Sequence, residues 1–213
     1  MTTYAELPND HVIGCFAKHG DWRLATLDTN SGDLQPLDVP WVTFSSIKAH
    51  QNTVWFVGGR ADAPEDLVEL DTATGQFSVL RSSATLSAPV ESISIAQPIS
   101  FATANGKQAH AFYYPPANAD LEGPAEQKPP LIVKSHGGPT GQATRALSLK
   151  IQYWTSRGFA VVDVKYGGST GYGREDRQRL DGNWGETDVD DCVSAAQYLA
   201  AQGAVDSDKM IIT

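Results

Sequence analysis

Five consecutive residues, Ser135-His136-Gly137-Gly138-Pro139, follow a short apolar run over residues 131–134. Paired glycines let a backbone come close to a ligand and point N–H groups at it. After a strand, such a turn suits oxyanion stabilisation in acyl transfer, where each donor contributes ~3–4 kcal/mol. A plain turn is the competing explanation. His136 has the chemistry of a general base, yet a structural role in fixing the loop fits it better. A literal Gly-x-Ser-x-Gly string, Gly167-Gly168-Ser169-Thr170-Gly171, lies downstream. A nucleophilic serine of that type needs a helix starting at the serine, so that N–H groups face the oxyanion. Ser169 is instead followed by Gly171-Tyr172-Gly173, poor helix material. The histidines His11, His19, His50, His110 and His136 all precede it, so Ser, acid and His cannot follow in that order. Ser169 is therefore expected in a loop at the C-terminal edge of a sheet. Tyr172 and Arg174 are candidates for lining a cleft there, with a solvated turn as the alternative.

Other clusters are better explained by folding. Asp188, Asp190 and Asp191 suggest a metal, but neighbours on a helix point about 100° apart. Capping and the helix dipole account for them more simply. No metal or cofactor is expected. Trp41, Trp55 and Trp184 suit core or half-buried packing. The net charge of −9 and the lack of a Lys/Arg cluster argue against nucleic-acid binding. No apolar run approaches the ~18 residues of a membrane span. Residues 1–10 lack the basic start and apolar core of a signal peptide. Cys15 and Cys192 make no disulfide framework and suit free, buried thiols, which together point to the cytoplasm.

Two regions with different patterning must position these loops. Residues 1–92 alternate short apolar runs with Gly, Asp and Asn. The segments RLATLDTNSGDLQPL and DLVELDTATGQFSVL align without gaps, their Leu-Asp-Thr triplets starting at Leu27 and Leu70, 43 residues apart. That period, with several strands per unit, is the mark of β-propeller blades. In each copy Asp bonds local backbone and Gly accepts positive φ. Two unrelated hairpins of a β-sandwich are the alternative. Residues 93–213 read differently. Strands over 99–103 and 109–114 flank an Asn105-Gly106 turn, and a Pro-rich loop covers 115–130. Buried strands are predicted over 131–134, 159–164 and from Met210, with helical character over 146–157 and a helix over 189–202. In that helix Val189, Val193, Ala196 and Leu199 or Ala200 recur at helical spacing, with Thr187 or Asp188 as cap. Strand, helix, strand, helix, strand implies a parallel, doubly wound α/β sheet.

HGGP, then YWTSRGFAVVDVKYGGSTGYG, then GNWGETDVDDCVSAAQYLAAQGAVD resemble the peptidase domain of the prolyl oligopeptidase family. The nearest branch is the acylaminoacyl-peptidase-like or dipeptidyl-aminopeptidase-like enzymes. The resemblance covers residues 99–213, and the upstream repeats match that family's propeller. One departure is Lys165, where Asn is expected. The resemblance implies an α/β-hydrolase fold preceded by propeller blades. It divides the chain into the last blades of a propeller, 1–92, and the first part of a peptidase domain, 93–213. Gly138, with Gly137 beside it, matches the oxyanion donor. The nucleophile, in a Gly-x-Ser-x-Gly elbow, and then Asp and His would lie beyond Thr213. The chain alone is then expected to be inactive. The implied partner is a peptide substrate, with no nucleic acid and no membrane, and the longer protein could oligomerise. Two blades cannot close a ring of ~4–8, so exposed apolar edges and poor solubility of the isolated chain are expected. Two further readings stand beside this one. An esterase of the same fold leaves the blade repeats without a role. A non-catalytic propeller-type interaction module leaves the HGGP loop without one.

Overall fold

The computed structural model describes residues 3–213 except 105 and 139, so Met1, Thr2, Asn105 and Pro139 lie outside the described residues. The chain forms two compact units, Met1–Ser87 with Thr144–Leu147 and Ala88–Ala143 with Ser148–Thr213.

The first unit holds two four-stranded antiparallel meanders. One contains β1 (Tyr4–Leu7), β2 (His11–Lys18), β3 (Asp21–Asp28) and β4 (Leu34–Pro36). The other contains β5 (Thr43–His50), β6 (Thr53–Gly59), β7 (Asp66–Asp71) and β8 (Gln76–Ser82). Both sheets are propeller-like blades. The repeated triplets occupy the same turn in each, between the third and fourth strands, and bond alike. Asp28 Oδ1 accepts the N–H groups of Asn30 and Ser31, and Asp71 Oδ1 accepts those of Ala73 and Thr74. The two N–H donors hold the Asp28 carboxyl below its usual range. The following threonine donates both N–H and hydroxyl to one carbonyl, Asp10 O for Thr29 and Asn52 O for Thr72. Gly32 and Gly75 take φ of +78° and +71°, which glycine adopts without a Cβ penalty.

Alternation along the strands sends every second side chain inward. Val54 and Phe56 of β6 and Val68 and Leu70 of β7 are buried, and they cluster with Ile13, Leu24, Phe44, Ile47 and Trp41. Trp41 donates its indole N–H to Asp66 at 3.1 Å and meets Phe56 edge-on. Its indole lies so close to Gly58 that a Cβ there would sit 2.5 Å from Trp41 Cδ1. The outer strand β8 leaves Phe77, Val79 and Leu80 exposed.

The second unit is built on one five-stranded sheet of β9 (Gln97–Ala102), β10 (Gln108–Tyr114), β11 (Leu131–Ser135), β12 (Ala160–Lys165) and β13 (Met210–Ile212). Its order is β13-β11-β12-β10-β9. β13, β11 and β12 run parallel, whereas β10 is antiparallel to both β12 and β9. The sheet is thus mixed: the three parallel strands expected are continued by the hairpin expected over 99–114, which joins them antiparallel to β12. The turn closed by Thr103 N–H to Lys107 O is far too short for a parallel crossover, so β9 and β10 must reverse.

Helices α1 (Leu149–Thr155) and α3 (Thr187–Ala201) cover opposite faces, and α2 (Arg174–Gln178) is a short turn of helix between β12 and α3. Ile151 of α1 packs with Phe112, Tyr114, Ile132 and Val161. Cys192, Ala195, Ala196 and Leu199 of α3 pack on Leu131, Val133, Val162 and Val164. Each fully buried aliphatic side chain contributes about 1.5–3 kcal/mol.

Several local expectations change. Val189 and Val193 point outward, and the buried stripe of α3 runs instead through Asp191, Cys192, Ala195 and Leu199. No side chain caps its first turn, and Asp188 accepts the N–H of Gly185 instead. The small residues of that stripe let the helix lie close to the sheet. Within these residues β13 borders the sheet beside β11, with Ile211 and Ile212 exposed. Trp184 is 66% exposed, unlike the core or half-buried packing expected of it. Both cysteines are free, and burial pushes the Cys192 thiol up to about 12, which leaves it unreactive near neutrality. Among the described residues no helix is long and apolar enough to cross a membrane.

Gly58→Ala should destabilise the first unit by about 1–3 kcal/mol, because the added methyl overpacks against Trp41. Urea denaturation followed by tryptophan fluorescence would measure it. Gly32→Asn, at an open turn that asparagine tolerates, should cost less.

Candidate functional site

Parallel strands bring their C-terminal ends to one edge of a sheet, and ligands in such sheets bind beyond that edge. Here β11 leads into the loop 136–141 and β12 into the loop 166–173, side by side. The expected site residues Gly137 and Gly138 are exposed in the first loop. Gly138 takes φ of +67°, so its conformation calls for glycine. A Cβ at either position would meet no atom within 4 Å outside the neighbouring residues, so the turn is open on that side.

The second loop fastens the first. His136 Nε2 lies 2.7 Å from Ser169 Oγ, and that hydroxyl donates to Tyr166 O at 2.7 Å. The hydroxyl hydrogen being spent on Tyr166, Ser169 accepts from the imidazole, and Nε2 carries the proton. Tyr166 stacks on His136 at 4.4 Å between centroids, and its hydroxyl reaches His136 O at 3.2 Å and Nδ1 at 3.3 Å. Thr170 completes the seam, with its N–H on Gly141 O at 2.9 Å and its hydroxyl on Thr140 O at 2.7 Å. Gly141 has no room for a side chain, since a Cβ would stand 2.8 Å from Gly137 O.

Ser169 is fully buried, which agrees with a structural loop residue rather than a nucleophile. Tyr172 packs face to face on His110 at 3.7 Å, and Arg174 is exposed at the start of α2. The unexpected Lys165 is buried, with Nζ 4.1 Å from the Phe112 ring centroid, a cation–π contact. Beside it Asp163 is paired with Lys134 at 2.6 Å. Burial still pushes the Asp163 carboxyl up, more than Lys134 pulls it down.

Sequence reasoning missed the ion pair behind these loops. Asp191, assigned above to the helix dipole, is 1% exposed and pairs with Arg179 at 3.0 Å. It also accepts the Gly167 N–H at 2.7 Å. Burial raises its carboxyl, against the lowering by Gly167 and Arg179. The clue was its spacing: Asp191 stands four and eight residues before Ala195 and Leu199, on the buried stripe. No group of acidic, His and Cys residues among the described ones is arranged to hold a metal.

Burial, more than any neighbouring charge, holds the His136 imidazole below its ordinary value near 6.5. Asp163 and the Gly137 and Gly138 backbone oppose that shift, and Lys134 adds to it. With the folded value depressed, the unfolded chain binds more protons below pH 6.5. The contribution of His136 to stability is thus complete above that pH and is lost as pH falls through the folded value. His136→Gln, which keeps a donor but does not titrate, should lose less melting temperature than the unsubstituted protein between pH 7 and pH 5.

Residues 145–213 match the model of the prolyl oligopeptidase family. A dipeptidyl aminopeptidase of Pseudoxanthomonas mexicana is 30% identical over 117 residues, covering 54% of this chain and 17% of its own length. An acylamino-acid-releasing enzyme of rice, Oryza sativa subsp. japonica, is 35% identical over 83 residues, 39% of this chain and 11% of its own. The crystal structure of a puromycin hydrolase superposes with a TM-score of 0.94 at 36% identity, over 100% of this chain and 32% of that one. The chain therefore spans about a third of the length of that solved structure. The resemblance to the prolyl oligopeptidase family stands in both sequence and structure.

Proposed function

We propose that this chain, similar to the prolyl oligopeptidase family, is part of a longer serine peptidase that cleaves short peptides through an acyl-enzyme. The first unit would supply the last blades of a propeller. The second would be the first part of an α/β-hydrolase domain. The observation that carries this reading is the open Gly137-Gly138 turn at the end of β11, next to the parallel end of β13. Thr213 N–H bonds Val133 O at 3.0 Å, so chain continuing from β13 would emerge level with that turn. In α/β hydrolases the nucleophile elbow follows such a strand, and the oxyanion hole combines an amide of the glycine loop with the amide after the serine.

On this reading the catalytic Ser, Asp and His lie beyond Thr213, and Gly138 N–H supplies the donor held within this chain. Charge develops on the carbonyl oxygen during attack, and a donor already aimed at that position stabilises it without reorganisation. A propeller would restrict access by size, which favours oligopeptides over folded proteins. Puromycin, the substrate in the name of the solved relative, is a suitable first amide to test. The departure at Lys165 alters a buried side chain and not the open turn.

Purified residues 1–213 should not be labelled by a fluorophosphonate serine probe, and the full-length protein should be. Stoichiometric labelling at Ser169 would overturn the assignment, as would a full-length protein that stays unlabelled.

A further inference from the structure

We propose that the groove beside the glycine turn, walled by Trp184, is a specificity subsite for an aromatic side chain of the substrate peptide. The proposal rests on the function given above and names which peptides that site selects.

The groove has a volume of 480 Å³ and is lined by Thr140, Arg177, Leu180, Asp181, Gly182 and Trp184. That volume falls in the ~300–1,000 Å³ range of sites for small ligands. Thr140 stands two residues after Gly138 and makes the groove continuous with the turn. A peptide whose carbonyl meets the turn can therefore lay a side chain in the groove.

Trp184 differs from the other tryptophans of the chain. Trp41 and Trp55 donate to Asp66 and Glu69, Trp154 meets Phe159 edge-on, and Trp22 packs against the core of the first unit. Trp184 is exposed, with no hydrogen bond or ring contact among the described residues. Its exposure does not come from a slack loop. Asn183 donates to Arg179 O at 3.3 Å and Asp181 O at 3.0 Å, and its own carbonyl accepts the N–H groups of Glu186 and Thr187 at 3.1 and 3.0 Å. Asp188 holds the Gly185 N–H at 2.7 Å. Leu180, at the base, is buried and packs in the same core as Cys192 and Ala195. A firmly bonded turn thus holds a large ring out in water. Packing has no use for that arrangement, whereas binding does, because a preorganised tryptophan gives up little freedom on contact.

The charges of the lining decide what enters. One guanidinium, Arg177, and one carboxylate, Asp181, border the groove, and neither has an ion-pair partner among the described residues. Their charges cancel, so the groove favours neither an acidic nor a basic side chain. Leu180 and Trp184 supply apolar surface. A flat ring gains from offset or edge-on contact with the indole beyond the area it buries, and a guanidinium can lie over its other face. An aliphatic side chain gains the area alone.

The test uses the full-length protein and alanine tetrapeptides, free or N-acetylated, with one phenylalanine placed at each position in turn. kcat/KM for each peptide is divided by that for the all-alanine peptide. We expect phenylalanine to be preferred about tenfold or more at one position. Trp184→Ala should abolish that preference, and Trp184→Phe, which keeps a ring, should leave it within about threefold. Arg177→Glu gives the groove two carboxylates and should turn the preference at the same position from phenylalanine towards lysine. That exposed variant decides the matter if Trp184→Ala does not fold. A protein without a phenylalanine preference, or one whose preference survives Trp184→Ala or is indifferent to Arg177→Glu, would contradict the proposal. If a further segment of the chain covers the indole instead, Trp184→Ala will lower Tm and slow every peptide equally, which also contradicts it. A full-length protein that cleaves none of the peptides and takes no fluorophosphonate would overturn the proposed function. A labelled protein that cleaves them all without discrimination would overturn only the subsite.

Discussion

The second unit turns on a buried carboxylate. Asp191 enters from α3 on the face that packs against the sheet, where an uncompensated charge is costly. Arg179 meets it with both carboxylate oxygens in reach of one guanidinium nitrogen, at 3.1 and 3.0 Å. The same guanidinium contacts Asp176 and donates to Gln108 O, so one cation joins α2, α3 and β10. Removing one partner of such a pair typically costs ~3–5 kcal/mol, because the other is left charged and buried. Gly167 is the corollary. Its N–H completes the carboxylate shell, and a Cβ there would stand 2.6 Å from Arg179 Cζ. The loop after β12 is therefore glycine where the ion pair passes, and that fixes where Ser169 meets His136.

The first unit reaches order by other means. It repeats one turn, in which an aspartate gathers two amides and a threonine returns to the carbonyl just before the second strand. The device has little apolar content, so it depends on a shared core beneath it. Val54, Phe56, Val68 and Leu70 supply that core with Trp41, and the outer strand β8 remains apolar and exposed.

Periodicity gave the strands of both units because half-buried strands alternate and central ones are apolar throughout. The Leu-Asp-Thr repeat identified equivalent turns because local bonding of Asp and Gly depends on few neighbours. The glycine loop after β11 was readable from type and spacing alone. The hairpin of β9 and β10 was readable too, but its joining the parallel strands through β12 was not, since that pairing links residues far apart in the chain. The α3 stripe was misjudged because Val189 and Val193 look like core residues, whereas the buried face takes a charged Asp191 whose partner lies twelve residues earlier. The place of Asp191 on the stripe is periodic, but its pairing with Arg179 leaves no such trace. The His136–Ser169 contact escaped notice for the same reason, since it joins two loops that only the pairing of β11 with β12 brings together.

Reading the genomic DNA past the codon for Thr213 tests the central claim most directly. The account predicts Gly-x-Ser-x-Gly within the next several codons, followed downstream by an aspartate and then a histidine. A stop codon directly after Thr213 would contradict it and leave the Gly137-Gly138 turn without a nucleophile to serve.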